Sequence, residues 1–168
     1  MRYTPVALAV ALIAAVSSSV SLSAPPEALD PRAAALVAEA RSALAAGNVN
    51  AATDAYESAL AVQPGSVTVL IGLAEASRRA GMQGKSLRYY RIALEADPRN
   101  LVAIAGEGQA LAEKGATEKA NRNLARLQGL CGKDCVEAQV LAAAIAQGRS
   151  PRVVTAEAVK PKPVISEN

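Results

Sequence analysis

The two cysteines of the chain, Cys131 and Cys135, are the residues whose type and spacing most directly suggest chemistry. Their even number favours a structural disulfide bond in an oxidising compartment. A redox-active pair is the alternative, because a thiol near the start of a helix can have a lowered pKa. However, three residues separate the cysteines instead of two, and no thioredoxin-like βαβ pattern surrounds them. The sequence therefore predicts a structural bridge.

Other residue combinations that support catalysis are missing from the sequence. The chain has no histidine, the commonest general base and metal ligand. Gly84-Lys85-Ser86 resembles the end of a phosphate-binding loop, but Arg79 takes the place of the first glycine of that motif. Gly106-Glu107-Gly108 follows no strand, so it is not a nucleotide-binding fingerprint. We expect no catalytic residue, no cofactor and no metal, and hence no enzyme.

The composition predicts an all-α protein. Alanine has the best helix propensity, and it dominates a chain in which 51% of residues are hydrophobic and only four are aromatic, all of them tyrosines. The formal charge of +3 is spread along the chain, and no basic stripe with interleaved aromatic residues occurs. Nucleic acid is therefore not an expected partner.

A repeat of 34 residues organises the middle of the chain. Positions 34 apart carry the same residue in five pairs: Pro64 and Pro98, Gly47 and Gly81, Tyr56 and Tyr90, Ala59 and Ala93, and Leu60 and Leu94. The repeat defines three units, residues 33–66, 67–100 and 101–134. In each unit, two apolar stripes with helical spacing flank a central glycine, which indicates two helices joined by a turn.

A seventh helix is predicted at residues 135–147, where it would cap the exposed end of the array. Asp134 offers a capping oxygen and Glu137 follows three residues later, the spacing of a capping box. Leu141, Ala144 and Ile145 form its apolar stripe. At the other end, Asp30-Pro31 is a typical helix start.

These units resemble the tetratricopeptide-repeat family. The family's second-helix pattern of a small residue, an aromatic residue and a later proline occurs as Ala52, Tyr56 and Pro64, and again as Ser86, Tyr90 and Pro98. The third unit has Leu124 in place of the aromatic residue and Gly132 in place of the proline, and the usual first-helix Trp is replaced throughout. The resemblance implies an α-α superhelix (a TPR-like solenoid) of three helical hairpins plus a capping helix.

The resemblance also implies a concave groove, lined by the first helix of each hairpin, in which a protein or peptide partner binds. The family's groove positions fall here on Val37, Arg41, Thr68, Ile71, Glu75, Arg78, Arg79, Val102, Ala105, Gln109 and Glu113. Three of these, Arg41, Arg78 and Arg79, suggest a basic spot for a carboxylate of the partner. A merely solvated face is the alternative.

One family specialisation does not transfer. Cochaperones of cytosolic heat-shock proteins clamp a terminal carboxylate with Lys, Asn and Arg. The matching positions here are Val37, Gly72, Val102 and Gly106, which cannot form that clamp.

The chain ends carry separate predictions. Arg2, an uncharged apolar run and several small residues predict a signal peptide at residues 1–23, cleaved near Ser23/Ala24. The alternative is an uncleaved membrane anchor at residues 6–24. A short linker at residues 24–30 and a flexible Pro- and Lys-containing tail at residues 149–168 are expected to flank the repeats.

Together these features predict an exported adaptor or scaffold, in the bacterial periplasm or anchored in the inner membrane with its domain outside the cytoplasm. Its expected role is in envelope, secretion or pilus assembly. A thiol-active protein that uses Cys131 and Cys135, and a structural protein that self-associates through its repeat ends, are the alternatives.

Overall fold

The computed structural model describes residues 27–148, and α-helices make up most of this part of the chain. In order they are α1 (Pro31–Ala45), α2 (Val49–Val62), α3 (Val67–Arg79), α4 (Gln83–Ala96), α5 (Leu101–Glu113), α6 (Thr117–Cys131) and α7 (Val136–Gly148). The predicted all-α class is confirmed. The predicted signal peptide, residues 24–26 of the predicted linker and the predicted tail lie outside the described residues. Within residues 27–148, none of the helices combines the length and hydrophobicity that a bilayer crossing requires.

Side-chain caps set where four of the helices begin. The caps are Asp30, Asn48, Ser66 and Asn100, and each side chain accepts a hydrogen bond from a backbone N–H in the first turn of its helix. Asp30 Oδ1 accepts from the N–H of Arg32 at 2.8 Å, and this bond holds the pKa of Asp30 below its usual value. The predicted helix start at Asp30-Pro31 is therefore confirmed.

Glycines and prolines separate the helices as the repeat predicts. Gly47, Gly81 and Gly115 have φ values of 76°, 75° and 80°, a left-handed conformation that side chains disfavour, and each lies in the turn between the two helices of a unit. The second helices α2 and α4 end two residues before Pro64 and Pro98. Each unit is thus a helical hairpin.

The hairpins stack into two layers. The first helices α1, α3, α5 and α7 contact one another in sequence, and α2, α4 and α6 pack behind them. Many contact positions are fully buried alanines: Ala33, Ala40, Ala52, Ala59, Ala74, Ala76 and Ala93. Small side chains let the helix backbones approach closely.

Residues 27–30, which were predicted as part of a linker, are attached to the repeats. The Glu27 carboxylate accepts a hydrogen bond from the backbone N–H of Thr68 at 2.9 Å, at the N-terminus of α3. The backbone N–H of Asp30 donates to Gln63 Oε1 at 2.8 Å, and Leu29 packs on the core of the first hairpin. This short segment therefore covers the start of the array.

Helix α7 packs against α5 and α6 through Ala138, Leu141 and Ile145, while the predicted stripe residue Ala144 is only half-buried. The Leu141 side chain sits over Gly108, where an added Cβ would lie 2.6 Å from Leu141 Cδ2. The predicted helix is present, but it runs over residues 136–148.

Candidate functional site

A cavity of about 350 Å³ opens on the layer formed by the first helices. Helices α1, α3, α5 and α7 form its walls, and two tyrosines reach it from the second helices. Its lining comprises Arg41, Tyr56, Thr68, Ile71, Gly72, Glu75, Tyr90, Val102, Ala105, Gly106, Gln109, Val136, Glu137 and Val140. This volume lies in the range of sites that hold small ligands or a few peptide residues.

The 34-residue repeat determines which side chains reach this cavity. One row consists of equivalent positions near the start of successive first helices: Thr68, Val102 and Val136. A second row, near the ends of those helices, consists of Arg41, Glu75 and Gln109. Because the side chains differ between units, the polar residues Arg41, Thr68 and Glu75 line the side of α1 and α3. The side of α5 and α7 is richer in apolar residues, with Val102, Val136 and Val140, but it also includes Gln109 and Glu137.

Two tyrosine–glycine contacts form the floor. A Cβ added at Gly72 would lie 2.2 Å from Tyr56 Cε1, and a Cβ added at Gly106 would lie 2.2 Å from Tyr90 Cζ. Each tyrosine of a second helix thus fits into a glycine notch on the first helix of the next unit. The sequence marked these tyrosines as repeated positions, and the glycines explain how two bulky rings fit between closely packed helices.

The tyrosine hydroxyls lie in low-dielectric surroundings. Burial raises the pKa of Tyr56, and the neighbouring Arg41 guanidinium opposes this rise. Burial also raises the pKa of Tyr90, and the negative charge of Glu75 raises it further. Tyr90 Oη donates to Glu75 Oε2 at 3.4 Å. Both hydroxyls therefore stay protonated at neutral pH.

Two of the three arginines of the predicted basic spot, Arg78 and Arg79, form an ion-pair network. Arg78 donates to both carboxylate oxygens of Glu75 at 2.9 Å, and Arg79 Nε donates to Glu75 Oε1 at 2.7 Å. Arg78 also bridges to Glu113 on α5. Although burial opposes ionisation, the hydrogen bonds from Arg78 and Arg79 hold the pKa of Glu75 below its usual value. Two arginines and two glutamates here balance in charge, so this cluster offers no free cationic site.

The structure brings part of the predicted groove set together. Arg41, Thr68, Ile71, Glu75, Val102, Ala105 and Gln109 line the cavity. Arg78, Arg79 and Glu113 do not, because they are paired beside it. Val37 is 2% exposed and packs in the core of the first hairpin, so its predicted place in the groove is wrong.

The predicted groove set lacks the floor residues Tyr56, Gly72, Tyr90 and Gly106. It also lacks three lining residues on α7: Val136, Glu137 and Val140. A signal for them existed, because position 136 follows Val102 by the repeat length of 34. Helix α7 thus occupies the place of a fourth first helix, and it forms a wall of the cavity in addition to covering the array.

The two cysteines lie at disulfide distance immediately before this wall. Their sulfur atoms are 2.03 Å apart and their Cα atoms 5.8 Å apart. Helix α7 begins at Val136, so Asp134 is not its cap, contrary to the sequence prediction. Instead, the backbone carbonyl of Asp134 accepts a hydrogen bond from the Gln139 side chain at 3.2 Å. The ligand atoms of Cys131, Cys135 and Glu137 lie within 4.8 Å of one another, but bonded sulfurs are not thiolate ligands for a metal.

Comparisons with solved structures identify the fold. The chain resembles the TPR domain of Sgt2 from Aspergillus fumigatus, with 20% identity and a TM-score of 0.63 over 84% of this chain and 91% of that chain. It resembles the first TPR domain of Spaghetti bound to an HSP90 peptide, with 19% identity and a TM-score of 0.63 over 71% and 94%. A tetratricopeptide repeat protein from Parabacteroides merdae matches with 20% identity and a TM-score of 0.60 over 70% and 45%.

The chain matches no family model, and comparison with curated proteins finds no relative. The structural matches nevertheless agree with the repeat found in the sequence. The chain has the tetratricopeptide-repeat fold.

Proposed function

We propose that this chain is a non-enzymatic adaptor that holds an extended segment of a partner protein in the cavity between its first helices. The cavity carries this proposal, because equivalent positions of successive repeats line it. An extended segment that lies in the cavity can therefore contact one repeat after another. Proteins of the same fold support it: one structure is described as bound to the HSP90 peptide SRMEEVD and another as in complex with the HSP70 peptide SGPTIEEVD.

The polar lining suits a peptide backbone. The Gln109 amide can both donate and accept, and the Thr68 hydroxyl can do the same, so together they can pair with the N–H and C=O groups of an extended chain. Glu75 is held in one orientation by two arginines and adds an ordered wall. The clamp of the heat-shock cochaperones does not contribute, because Gly72 and Gly106 have no side chain to donate.

The proposed location is the bacterial periplasm, with the signal peptide at residues 1–23 removed. Arg2 and the following apolar run support export, and cysteines at disulfide distance suit an oxidising compartment. The partner then belongs to an envelope, secretion or pilus assembly. An uncleaved anchor at residues 6–24 would place the same domain outside the cytoplasm.

Fractionation of the native cells and mass spectrometry of the purified chain test this location. We expect periplasmic protein whose first residue is Ala24. An intact N-terminus in the membrane fraction selects the anchored alternative, whereas recovery from the cytoplasm contradicts export.

Site-specific photo-cross-linking tests the groove. A photoreactive amino acid is placed at Thr68 or Gln109 in the cavity, and at Arg88 or Arg122 as matched controls, which are exposed on the outer layer. Illumination of native cells should give a discrete adduct from the cavity positions and a weaker one, or none, from the controls. Equal adducts from all four positions, or adducts from the outer layer alone, contradict the proposed function.

A further inference from the structure

The apolar end of the cavity concentrates most of the exposed large hydrophobic side chains in residues 27–148. Val102, Val136 and Val140 are 54%, 69% and 46% exposed, and all three line the cavity. Met82, at 42%, is the fourth such residue and lies outside the lining. Single exposed apolar residues are ordinary on protein surfaces, but a cluster in a concave site indicates that something covers it.

Two of these valines belong to α7, the helix that closes the array. The free face of a terminal helix in a solenoid is usually polar, so valines on the cavity side of α7 are not explained by capping. Their position is well defined, because Leu141 is fully buried over Gly108 and Cys135, held to Cys131, directly precedes Val136. Helix α7 therefore presents two fixed valines to the cavity, beside the carboxylate of Glu137.

The opposite end of the cavity carries a cation. Arg41 is exposed on α1 and lines the cavity, and none of the ion pairs formed within residues 27–148 includes it. Glu75, its neighbour in the lining, is already paired with two arginines. The α1 end of the cavity thus favours an anionic group, and the α7 end favours an aliphatic one.

We propose that α7 is the specificity-determining wall of this groove. It selects a partner segment with two features. An aliphatic side chain of the segment is buried among Val102, Val136 and Val140, and an acidic group of the same segment lies near Arg41. This inference rests on the proposed function and deepens it by naming the chemistry of the bound segment.

The geometry also indicates how far apart these two groups lie in the partner. Arg41 is on α1 and Val102 on α5, two helix steps away, and packed helices are about 8–10 Å apart, which gives roughly 16–20 Å across the array. Gln109, the α5 equivalent of Arg41, follows Val102 by seven residues, which adds roughly 10 Å along the helix axis and makes the separation roughly 19–23 Å. An extended chain advances about 3.3 Å per residue, so the aliphatic and acidic residues should be roughly six or seven positions apart.

Peptide selection tests the inference directly and does not require the native partner. Random dodecapeptides displayed on phage are selected on the chain from residue 24 onward, and the enriched peptide is synthesised and titrated by fluorescence anisotropy. We expect a consensus with an aliphatic residue and an acidic residue at the stated spacing.

Combined Val136→Ser and Val140→Ser should raise Kd by about tenfold or more, because two apolar contacts are lost. Met82→Ser is the matched control and should leave Kd unchanged.

Two further variants separate the inference from the proposed function. Arg41→Glu should remove the preference for an acidic residue while the aliphatic preference persists. Gln109→Trp should fill the cavity and abolish binding altogether. If Gln109→Trp abolishes binding but the α7 variant binds normally, the groove stands and the role of α7 is wrong. If neither Gln109→Trp nor the α7 double variant affects binding, or if no peptide is enriched, both proposals fail. Circular dichroism of each variant confirms that its helices are intact.

Discussion

Replacement of Gly106 by alanine tests the tyrosine–glycine contact on which the array's geometry depends. An added Cβ would lie 2.2 Å from Tyr90 Cζ and 2.3 Å from Tyr90 Oη, far inside contact distance. Tyr90 is 2% exposed and its hydroxyl donates to Glu75, so the added Cβ must displace a buried ring and disturb its hydrogen bond. Overpacking of this kind costs about 1–3 kcal/mol.

The same substitution also carries a gain, which a matched control isolates. Alanine is about 0.8–1 kcal/mol better than glycine in a helix interior. Gly129 lies in α6, is exposed, and has no atom within 4 Å of an added Cβ, so Gly129→Ala should show this gain alone. The free energies of unfolding of the two variants should therefore differ by about 1–3 kcal/mol, the steric cost at Gly106.

Urea denaturation followed by far-UV circular dichroism measures these free energies. In a Tyr90→Ala background the ring is gone, so Gly106→Ala should become stabilising, like Gly129→Ala. The reasoning is refuted if Gly106→Ala and Gly129→Ala stabilise the chain equally, or if the cost at Gly106 persists after Tyr90 is removed.

Three further predictions concern charge and cross-linking. The pKa of Glu75 lies below its usual 4.5, so its stabilising contribution is present above that pH and is lost as the pH falls through the lower folded-state pKa. In the Glu75→Gln variant, the free energy of unfolding should therefore fall less steeply as the pH is lowered. The pKa of Tyr90 lies above its usual 10.0, so its contribution is lost as the pH rises beyond that value, and Tyr90→Phe should reduce the alkaline loss measured by denaturation. Replacement of both cysteines, Cys131→Ser and Cys135→Ser, should lower the free energy of unfolding by about 2 kcal/mol. It should also increase the rate of amide exchange more in α7 than in α3. An unchanged free energy of unfolding contradicts a structural bridge.

The repeat made much of this fold predictable. Glycines and prolines 34 residues apart located the turns, and the tyrosines marked equivalent positions in the first two units. What the period could not indicate was the difference between the ends and the middle of the array. Val37 and Ile71 are equivalent positions of the repeat, but Val37 is buried while Ile71 lines the cavity. Leu29, which lies outside the repeat, packs on the same core as Val37.

The electrostatics of the site also depended on contacts that a period does not encode. Arg78 was predicted as a free cation, but it pairs with Glu113 of the following unit as well as with Glu75 of its own helix. The wall formed by α7 was missed because that helix was interpreted only as a cap. Extension of the repeat by one more step would have placed Val136 beside Val102.

Chemical-shift mapping of a selected peptide on the isotope-labelled chain tests the central claim most directly. Binding in the cavity predicts that amide shifts change at Thr68, Gln109 and Val136, on three successive first helices, while Arg88 and Arg122 on the outer layer are unaffected. Shift changes confined to α4 and α6 would contradict a groove that binds its partner between the first helices.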